Sequence, residues 1–485
     1  MTASATPPKG ALDRFFSISD RGSTVGTEIR AGVVTFFAMA YIIILNPLII
    51  GTIEDHTGHA LGIPQVAAAT ALAAGVMTIF FGLVARYPFG IATGLGINTL
   101  VAVTMVAGEG LTWQEAMGLV VIDGIIIVLL AISGFRVAVF NAIPDSLKAA
   151  MGVGIGLFIA MIGLVDSGFV RRIPDAAGTT VPVGLGIDGS IASWPTFVFI
   201  IGLIISGVLV ARNIRGGLFI GIVSTTLIAM IVEALTGAGP SFVDGKPVPT
   251  GWSLAVPEMP SSLGGMPDLS IIGAVDLFGA FSRLGVLAAT LLVFTLVLAN
   301  FFDAMGTMTA LGKQAGLTDE HGNLPDMKQA LIVEGCGAIV GGGMSASSNT
   351  VYIDSAAGIA DGARTGLANV VTGVLFLLAM FLTPLYSVIP IEAAAPVLVI
   401  VGALMMGQIK EIDFTEFNIA LPAFLTIVVM PFTYSIANGI GVGFIAYTLM
   451  QLASGKGAKV HWLLWLISAL FMVYFAIDPV MSLFQ

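Results

Sequence analysis

Long apolar runs separated by short polar connections cover most of this chain. A helix rises about 1.5 Å per residue, so about 20 apolar residues span a hydrocarbon layer of about 30 Å. The runs of the first half approach that length, and we therefore predict an all-α protein that crosses a membrane many times. The predicted segments of this half are residues 31–50, 64–85, 91–107, 113–133, 146–165, 195–211 and 215–236.

A polar stretch rich in proline and glycine divides the apolar runs into two sets. The second set begins near residue 283 and continues to residue 478. Its last part, 417–434 and 436–453, predicts either two helices or one broken helix, so hydropathy leaves seven or eight segments open. The predicted units are an N-terminal segment (1–27), a first repeat (28–236), an extracytoplasmic connection (237–282) and a second repeat (283–485).

Composition excludes several other classes of protein. Of the 485 residues, 57% are hydrophobic and 10% are charged, whereas soluble domains average about a quarter charged residues. No basic tract indicates binding of nucleic acid. The single cysteine, Cys336, excludes an intramolecular disulfide framework and a cysteine-based metal cluster.

The charges around the first apolar run predict its orientation. Arg14, Arg21 and Arg30 precede the run, and the next connection, 51–63, contains neither Lys nor Arg. The positive-inside rule then places the N-terminal segment in the cytoplasm. The first 30 residues are polar and the run after them is long enough to stay in the bilayer, so we predict no cleavable signal peptide. The simplest host is a bacterial inner (plasma) membrane.

The two halves share a weak internal signature. GLGINT at 94–99 follows a lead-in rich in proline and glycine, and SASSNT at 345–350 follows a glycine run. An Ile-Pro pair comes about forty residues later in both halves. The match places Asn98–Thr99 and Asn349–Thr350 in equivalent positions and predicts an inverted repeat with its site between the halves.

Both lead-ins, PFGIATGLG (88–96) and GGGMSASS (341–348), lack helix-forming residues. Backbone polar groups that leave a membrane helix are tolerated only where they line a cavity or are buried in protein. We therefore predict a short extended piece and then a half-helix at each place, with free backbone N–H groups near the bilayer centre. The alternative is close packing of two ordinary glycine-rich helices.

An acidic residue, Asp303, lies near the end of the apolar run VFTLVLANFFDAMGT at 293–307. An ionisable group within a membrane segment is costly and by default marks a substrate or proton pathway. Asn300 and Thr307 lie one helical turn before and after Asp303, so the three share a face. The alternative is an interfacial or helix-capping aspartate.

A second acid, Asp354, follows the second predicted break. A carboxyl group in a partly dehydrated cavity can take up a proton near neutral pH and lose it on the other side, so Asp303 and Asp354 are the proton-coupling candidates. The neutral polar groups nearby suit an uncharged heterocycle better than an ion. We expect no metal and no cofactor besides the coupling proton. The candidate substrate-binding residues are Asn98, Asn300, Asp303, Thr307, Ser348, Asn349, Thr350 and Asp354.

Two further acids lie inside apolar segments. Asp123 serves either as a second proton site or as a hydrogen-bond partner of a neighbouring helix. Glu334 is interpreted as a structural hydrogen-bonding group, with orientation of the inner carboxylates as the alternative. Phe89, Phe301 or Phe302 could stack on a bound ring, although packing is the preferred interpretation for each.

Six motifs in order along the chain resemble one known family. This family is the AzgA-type purine permeases, adenine and guanine/hypoxanthine proton symporters related to uracil and xanthine permeases. The motifs are TFFAMAYIIILNP at 35–47, GLGIN at 94–98, IPDSLKAAMGVGIGLFIAMIGL at 143–164, NFFDAMGT at 300–307, AGLTDEHGNLPDMKQAL at 315–331 and VYIDSAAGIADGARTGL at 351–367.

The resemblance implies a fold and a set of binding residues. The fold is a fourteen-segment (seven plus seven) inverted repeat with core and gate domains and short strands in segments 3 and 10. Carried over by motif, Asn98, Asp303 and Asp354 become binding residues. Asn300 stands where adenine-type members have Asn and guanine/hypoxanthine types often have Asp, which favours adenine. Related proteins also imply a homodimer through gate-domain helices.

The chain departs from the family pattern at the site itself. Asp354 stands where the family usually has Glu, and Ser345–Ala346–Ser347 stands where it usually begins Gly-Thr-Ser. Asn349 is atypical, and Thr93 replaces a family proline. A shorter acid alters which purine edge is bound, so the guanine/hypoxanthine type stays open as the alternative.

We therefore predict a proton-coupled secondary transporter that imports a purine nucleobase and is not an enzyme. A sulfate or bicarbonate carrier of similar architecture is the less favoured alternative, because two carboxylates would repel an anion and neither break contains Lys or Arg. A membrane-embedded enzyme would need a nucleophile and base, or metal ligands, within the segments. The segments contain neither a His-Glu metal motif nor a Ser/Lys pair.

Overall fold

The structure of this protein is a computed structural model. It describes residues 10–134, 142–172, 183–214, 216–243, 246–253, 255–260, 262, 264–318, 324–325, 327–386, 388–433 and 435–481. It describes only the backbone of residues 302, 306, 309, 310, 313, 383, 384, 437 and 477–481. Within these ranges, eight helices are long and apolar enough to cross a membrane, and four shorter apolar helices accompany them. The predicted helical, polytopic architecture is confirmed.

The helices of the first half follow the predicted segments. The first segment is divided at Ala40–Tyr41 into two helices. The helices are α1 (Ala11–Phe16), α2 (Val25–Met39), α3 (Ile42–Ile50), α4 (Ile63–Val84), α5 (Leu95–Thr99, continued by the π-helical stretch Leu100–Gly108), α6 (Trp113–Ser133), α7 (Asp145–Asp166), α8 (Trp194–Ala211) and α9 (Gly217–Thr236). The strands are β1 (Ile91–Thr93), β2 (Val170–Arg172) and β3 (Val183–Leu185).

The second half begins with two small strands in the polar connection. These are β4 (Phe242–Val243) and β5 (Lys246–Pro247), and one further strand, β6 (Asn349–Val351), lies deep in the helical part. The helices are α10 (Gly279–Leu284), α11 (Val286–Ala315), α12 (Met327–Gly343), α13 (Ala356–Ala360), α14 (Gly366–Ala379), α15 (Thr383–Tyr386), α16 (Ile391–Met405, continued by the 3-10 turn Met406–Glu411), α17 (Phe417–Phe432), α18 (Ile436–Ala453) and α19 (Trp462–Met481).

The stretch that hydropathy left undecided forms two helices that fold back on each other. A β-carbon at Gly439 would meet the side chain of Met430, and one at Gly443 would meet Thr426. The contacts therefore move away from the turn on both helices at once, as they do only in an antiparallel pair. Two helices, α17 and α18, occupy this stretch rather than one broken helix.

The helices pack as two groups, which we call the core domain and the gate domain. The core domain contains α2–α6 and α11–α14, with the strands β1 and β6 at its centre. The gate domain contains α7–α9 and α16–α18. Both halves of the chain contribute to each group. This arrangement is the predicted inverted repeat with core and gate.

The core domain is built from two helix pairs that occupy equivalent places in the two repeats. Helix α4 packs on α14, and α12 packs on α6. Glycines let both pairs approach closely: a β-carbon at Gly75 would lie 2.9 Å from the carbonyl oxygen of Gly373, and one at Gly124 would lie 2.9 Å from that of Gly335. Small residues at such contacts bring helix backbones together and gain dispersion energy where no hydrophobic force acts between helices. The abundant glycine of the apolar runs therefore serves packing in both halves.

The gate domain is centred on the antiparallel pair α7 and α16. A β-carbon at Gly402 would meet the carbonyl oxygen of Gly156, and one at Gly163 would lie 2.8 Å from that of Ala395. The residue number falls on one helix as it rises on the other, so the start of α16 lies beside the end of α7. This register places Asp166, the last residue of α7, level with the first turn of α16.

Candidate substrate-binding site

Two short strands meet at the centre of the core domain. Strand β1 pairs antiparallel with β6, and Ala92 lies opposite Thr350. The N–H of Gly94 donates to the carbonyl oxygen of Ser348 (3.0 Å), which extends the pairing beyond the strands. Each strand is followed by a short helical segment, α5 or the 3-10 turn that leads into α13. We call the place where β1 and β6 pair the strand crossing. The positive ends of two half-helices therefore meet at the strand crossing, where backbone N–H groups can face a ligand.

The second break begins later than predicted. Helix α12 continues through the glycine run and ends at Gly343, so the break starts at Met344. A β-carbon at Gly341 would collide with the carbonyl oxygen of Ser347, which folds back over the end of the helix. The chain turns here through positive φ angles of 56° at Ser345 and 67° at Ser347. The glycines thus make room for the returning chain and are not themselves the break.

The strand pairing also corrects the predicted equivalence of the two Asn-Thr pairs. Asn349–Thr350 lies inside β6, whereas Asn98–Thr99 lies at the end of α5, after β1 has ended. The residues opposite Asn349 and Thr350 are Thr93 and Ala92. The repeat is present, but the Asn-Thr pairs differ in register because one belongs to a strand and the other to a half-helix.

Asp354 lies in the 3-10 turn between β6 and α13, where a tyrosine from the first segment contacts it. The hydroxyl of Tyr41 donates to Oδ2 of Asp354 (2.9 Å), and Tyr41 is 1% exposed. The hydroxyl of a second buried tyrosine, Tyr352, donates to the carbonyl oxygen of Thr93 on β1 (2.9 Å). Asp354 is therefore held at the strand crossing by a neutral donor from the kink between α2 and α3.

Asp303 lies on α11 and faces the strand crossing at Thr350 of β6. Thr350 on β6 is its neutral neighbour, and the carboxylates of Asp303 and Glu334 are close enough to repel each other. Asp303 also interacts electrostatically with Tyr352, which interacts with Asp354. The structure thus gathers both predicted acids around the same strand.

Asn300 connects three parts of the core domain. Its amide Nδ2 donates to Oδ2 of Asp123 on α6 (3.0 Å) and to the hydroxyl of Ser348 just before β6 (2.7 Å). Asp123 is therefore a hydrogen-bond partner of a neighbouring helix, which is one of the two interpretations of this residue from sequence. Both amide hydrogens of Asn300 are used, and only its carbonyl oxygen is left to accept a further bond.

Asn98 belongs to a second polar chain on the other side of the crossing. Its Nδ2 donates to Oδ1 of Asn46 on α3 (2.7 Å) and to the hydroxyl of Thr93 (3.2 Å). Asn46 in turn donates to Thr70 on α4 (2.7 Å) and to the carbonyl oxygen of Ala346 (3.1 Å). The amide hydrogens are again used internally, which leaves the carbonyl oxygen of Asn98 as an acceptor.

Several buried polar atoms at this crossing have no hydrogen-bond partner among the residues that the structure describes. A buried polar group without a partner costs about 1–3 kcal/mol, so a cluster of them in a native protein requires an explanation. A bound polar ligand supplies one here. The atoms are Oδ1 of Asn98, Oδ1 of Asn300 and the hydroxyl of Ser347.

A search of family models matches residues 26–442, most of the chain, to the model of xanthine and uracil permeases, described as the Permease family. The chain belongs to the xanthine/uracil permease family. The guanine/hypoxanthine permease PbuG of Bacillus subtilis is 38% identical over 96% of this chain and 99% of its own length. The adenine permease AdeP of Escherichia coli is 35% identical over 93% of both chains. The predicted family is confirmed, and the chain is a polytopic transporter of it.

A solved structure of similar fold is the transmembrane domain of the cyanobacterial bicarbonate transporter BicA. It aligns with a TM-score of 0.60 over 86% of this chain and 97% of that domain, at 13% sequence identity. This likeness concerns the fold alone. The inverted-repeat architecture of this permease is therefore shared with transporters of very different sequence.

The eight predicted binding residues of this permease do not all face one way. The side chain of Asn349 is directed at α12, because Gly337 and Gly341 would contact it if they had β-carbons. Side chains alternate along a strand, so Thr350 faces the other side, toward Asp303. Thr307 is half-buried one turn beyond Asp303, and no described hydrogen bond joins it to the crossing. The hydroxyl of Ser348 accepts a hydrogen bond from Asn300 and is linked to the site through that residue.

Two residues of this site were missed from the sequence. Tyr41 and Asn46 both lie in TFFAMAYIIILNP, where they interrupt an otherwise apolar run. That interruption is the signal that could have found them, since a buried tyrosine hydroxyl or amide needs a partner. Of the aromatic candidates, Phe89 stacks on Tyr87 with ring centroids 5.2 Å apart, and Phe301 is 2% exposed. The ring of Phe302 lies outside the described residues.

Proposed function

We propose that this protein imports a purine nucleobase together with a proton. The observation that carries the proposal is the strand crossing, where two carboxylates, Asp303 and Asp354, lie among buried polar atoms that have no partner within the described structure. The names of the relatives support it, since they include adenine and guanine/hypoxanthine permeases. The fold supports a transporter rather than an enzyme.

The chemistry of the crossing suits an uncharged, planar ligand. The groups available there are amide carbonyls, hydroxyls and carboxylates, which accept hydrogen bonds from ring N–H and amino groups. No described Lys or Arg forms an ion pair with Asp303 or Asp354. An anion would therefore meet two acids without a compensating cation, which disfavours a sulfate or bicarbonate carrier.

The same two acids are the proposed carriers of the coupling proton. A buried carboxylate without a cation is costly, and a proton removes that cost. A substrate that donates hydrogen bonds to the carboxylate has the same effect. Proton and purine together would therefore stabilise one arrangement of the core domain relative to the gate domain, as the difference in affinity between two states requires.

Adenine is the favoured substrate, and guanine/hypoxanthine is the alternative. With both of its amide hydrogens donated to Asp123 and Ser348, Asn300 presents only an acceptor. The exocyclic amino group of adenine can donate to such an acceptor, whereas hypoxanthine carries a carbonyl at the same ring position. Guanine also has an amino group, on another edge of the ring. AdeP and PbuG are similarly related to this chain, so sequence identity does not separate the two classes.

We place the protein in a bacterial inner membrane with its N-terminal segment in the cytoplasm. Arg21 and Arg30 lie at one end of the core domain, where Arg21 donates to the carbonyl oxygen of Arg364 (3.1 Å) and Arg30 pairs with Asp361 (2.7 Å). Arg21 and Arg30 of the first half therefore lie beside Arg364 of the second half at one face, which the positive-inside rule assigns to the cytoplasm. Association into a homodimer through the gate domain stays a prediction, to be checked by the mass of the purified protein in detergent.

The decisive experiment is uptake of labelled adenine by cells that express the protein. Unlabelled adenine, hypoxanthine, guanine, xanthine, uracil and sulfate serve as competitors, each with and without a protonophore. We expect uptake that the protonophore abolishes and that only purines compete. Uptake that survives the protonophore would refute proton coupling. Absence of adenine uptake, followed by uptake of labelled hypoxanthine or guanine, would move the protein to the alternative class.

A further inference from the structure

A second pair of acids lies in the gate domain, away from the strand crossing. Asp166 is the last residue of α7, and Glu392 is the second residue of α16. The antiparallel register set by the contact of Gly163 with Ala395 brings these two residues to the same level. Their carboxylates are close enough to repel each other. Helix α7 belongs to the first repeat and α16 to the second, so each repeat contributes one acid to the pair.

Neither acid forms an ion pair with any residue that the structure describes. Glu392 is 1% exposed, its Oε1 accepts from the N–H of Ser253 (3.0 Å), and its Oε2 has no described partner. The nearby cation is Arg171. Its Nε donates to the carbonyl oxygen of Gly168 (3.2 Å), and a terminal nitrogen donates to the carbonyl oxygen of Pro249 (2.8 Å). The guanidinium is thus bound to backbone rather than to the acids.

The pair lies at a cavity of about 340 Å³ between the two domains. Asp166 and Ser253 line it on the gate side, and Thr52 and Thr99 line it on the core side. Thr99 follows Asn98 at the end of α5, so the cavity begins one residue from the substrate site. Water in this cavity can exchange protons with Asp166, while Glu392 is enclosed behind it.

The guanidinium of Arg171 is bound to backbone, so the half-buried carboxylate of Asp166 and the buried one of Glu392 cannot both be charged at low cost. Like charges that share a site force one group to keep its proton, as in the carboxyl pairs of aspartic proteases. No group of three or more acidic, histidine or cysteine side chains in the described structure could hold a metal ion instead. We propose that Asp166 and Glu392 share one proton and form a proton-binding site of the gate domain, separate from Asp303 and Asp354.

The charged groups around the pair determine how the two acids interact once the shared proton is lost. Arg171 faces it from β2, and Glu233 of α9 lies behind Trp252, whose indole Nε1 donates to Glu233 (2.8 Å). The core side of the cavity contributes hydroxyls and apolar groups. A second negative charge would therefore repel the first at the ends of α7 and α16. Deprotonation loosens the gate domain at the mouth of the cleft, and protonation holds it together.

The experiment is infrared difference spectroscopy of the purified full-length protein over a series of pH values, without substrate. A protonated carboxyl group has a carbonyl stretching band that a carboxylate lacks. We expect this band to disappear at lower pH in Asp166→Asn and in Glu392→Gln than in the parent, because the remaining acid no longer has a like charge beside it. Asp303 and Asp354 contribute equally to parent and variant spectra, so the difference isolates the pair.

Two exposed acids of the same types serve as matched controls. Asp188→Asn and Glu258→Gln change an aspartate and a glutamate that are open to solvent, and we expect neither to move the pH at which the band disappears. A band that disappears at the same pH in the parent and in both variants would overturn the shared proton. Because the measurement uses no purine, failure of purine uptake would refute the proposed function and leave this result unchanged.

Discussion

The hydroxyl of Tyr41 donates a 2.9 Å hydrogen bond to Oδ2 of Asp354, and the two residues are 313 positions apart in the chain. Tyr41 lies where the first membrane segment kinks between α2 and α3, and Asp354 lies just after β6. The contact ties the first repeat to the acid of the second. It makes the kink of the first segment part of the proposed substrate site.

Tyr41→Phe removes this donor and keeps the ring. A neutral donor stabilises the charged carboxylate, and a hydrogen bond to a charged group is worth about 1.5–3 kcal/mol, so Asp354 should hold its proton to higher pH in the variant. We expect the pH dependence of uptake to move to higher pH and the KM at neutral pH to change by about tenfold or more. A role limited to packing would lower the amount of folded protein without moving the pH profile. Tyr447→Phe, on α18 of the gate domain, is the matched control.

Asp303→Asn replaces a carboxylate of the strand crossing by an amide of the same shape. It removes the acceptor charge and the proton at once, so we expect uptake to be abolished. The protein should remain folded, as judged by expression and by its elution in detergent. Asp145→Asn is the control, because the Asp145 side chain is 91% exposed at the start of α7. Normal uptake by Asp303→Asn would refute the assignment of this residue.

Gly402→Ala tests the close approach of the two central gate helices. The added methyl group would collide with the carbonyl oxygen of Gly156 and approach Ala160 to 2.8 Å. Overpacking of this kind costs about 1–3 kcal/mol, so we expect a lower melting temperature in detergent. Gly207→Ala, near the C-terminal end of α8, places its new methyl group in open space. That control should leave stability unchanged or raise it by up to about 1 kcal/mol.

Asp55 in the connection after α3 predicts a pH dependence of stability. Burial raises the pKa of its carboxyl group, but hydrogen bonds from Thr57, His59 and Trp113 outweigh burial and lower the pKa below its ordinary value. A lowered pKa contributes stability above the unfolded value of about 3.9, and this contribution is lost as the pH falls through the folded value. We expect Asp55→Asn to melt below the parent at neutral pH.

The same comparison at lower pH supplies the check on Asp55. The difference between parent and Asp55→Asn should narrow as the pH falls below about 4, because the unfolded parent then takes up a proton at Asp55 more readily than the folded parent does. Asp188→Asn, which changes an exposed aspartate, is the control. A difference for Asp55→Asn that stays constant with pH would mean that the charge of Asp55 does not stabilise the fold.

Some features of this protein follow from sequence alone, for a physical reason. Each membrane segment is a long apolar run, and the bilayer requires such a run to form a helix whatever the rest of the chain does. The segments of the first half were therefore predicted closely. The two acids, Asp303 and Asp354, were also visible, because an ionisable residue beside an apolar run is rare. A short extended piece at each break was predicted from the lead-in residues, and the family resemblance placed short strands in segments 3 and 10.

The tertiary structure decided which polar side chains meet. Asn349 and Thr350 are neighbours in sequence, yet the strand directs one at the glycines of α12 and the other at Asp303. Tyr41 reaches Asp354 only because the first repeat folds against the second. The ends of each membrane segment can be predicted from sequence, because they depend only on the hydropathy of that segment. Partners drawn from two repeats are fixed by the packing of one repeat on the other, which no single segment encodes.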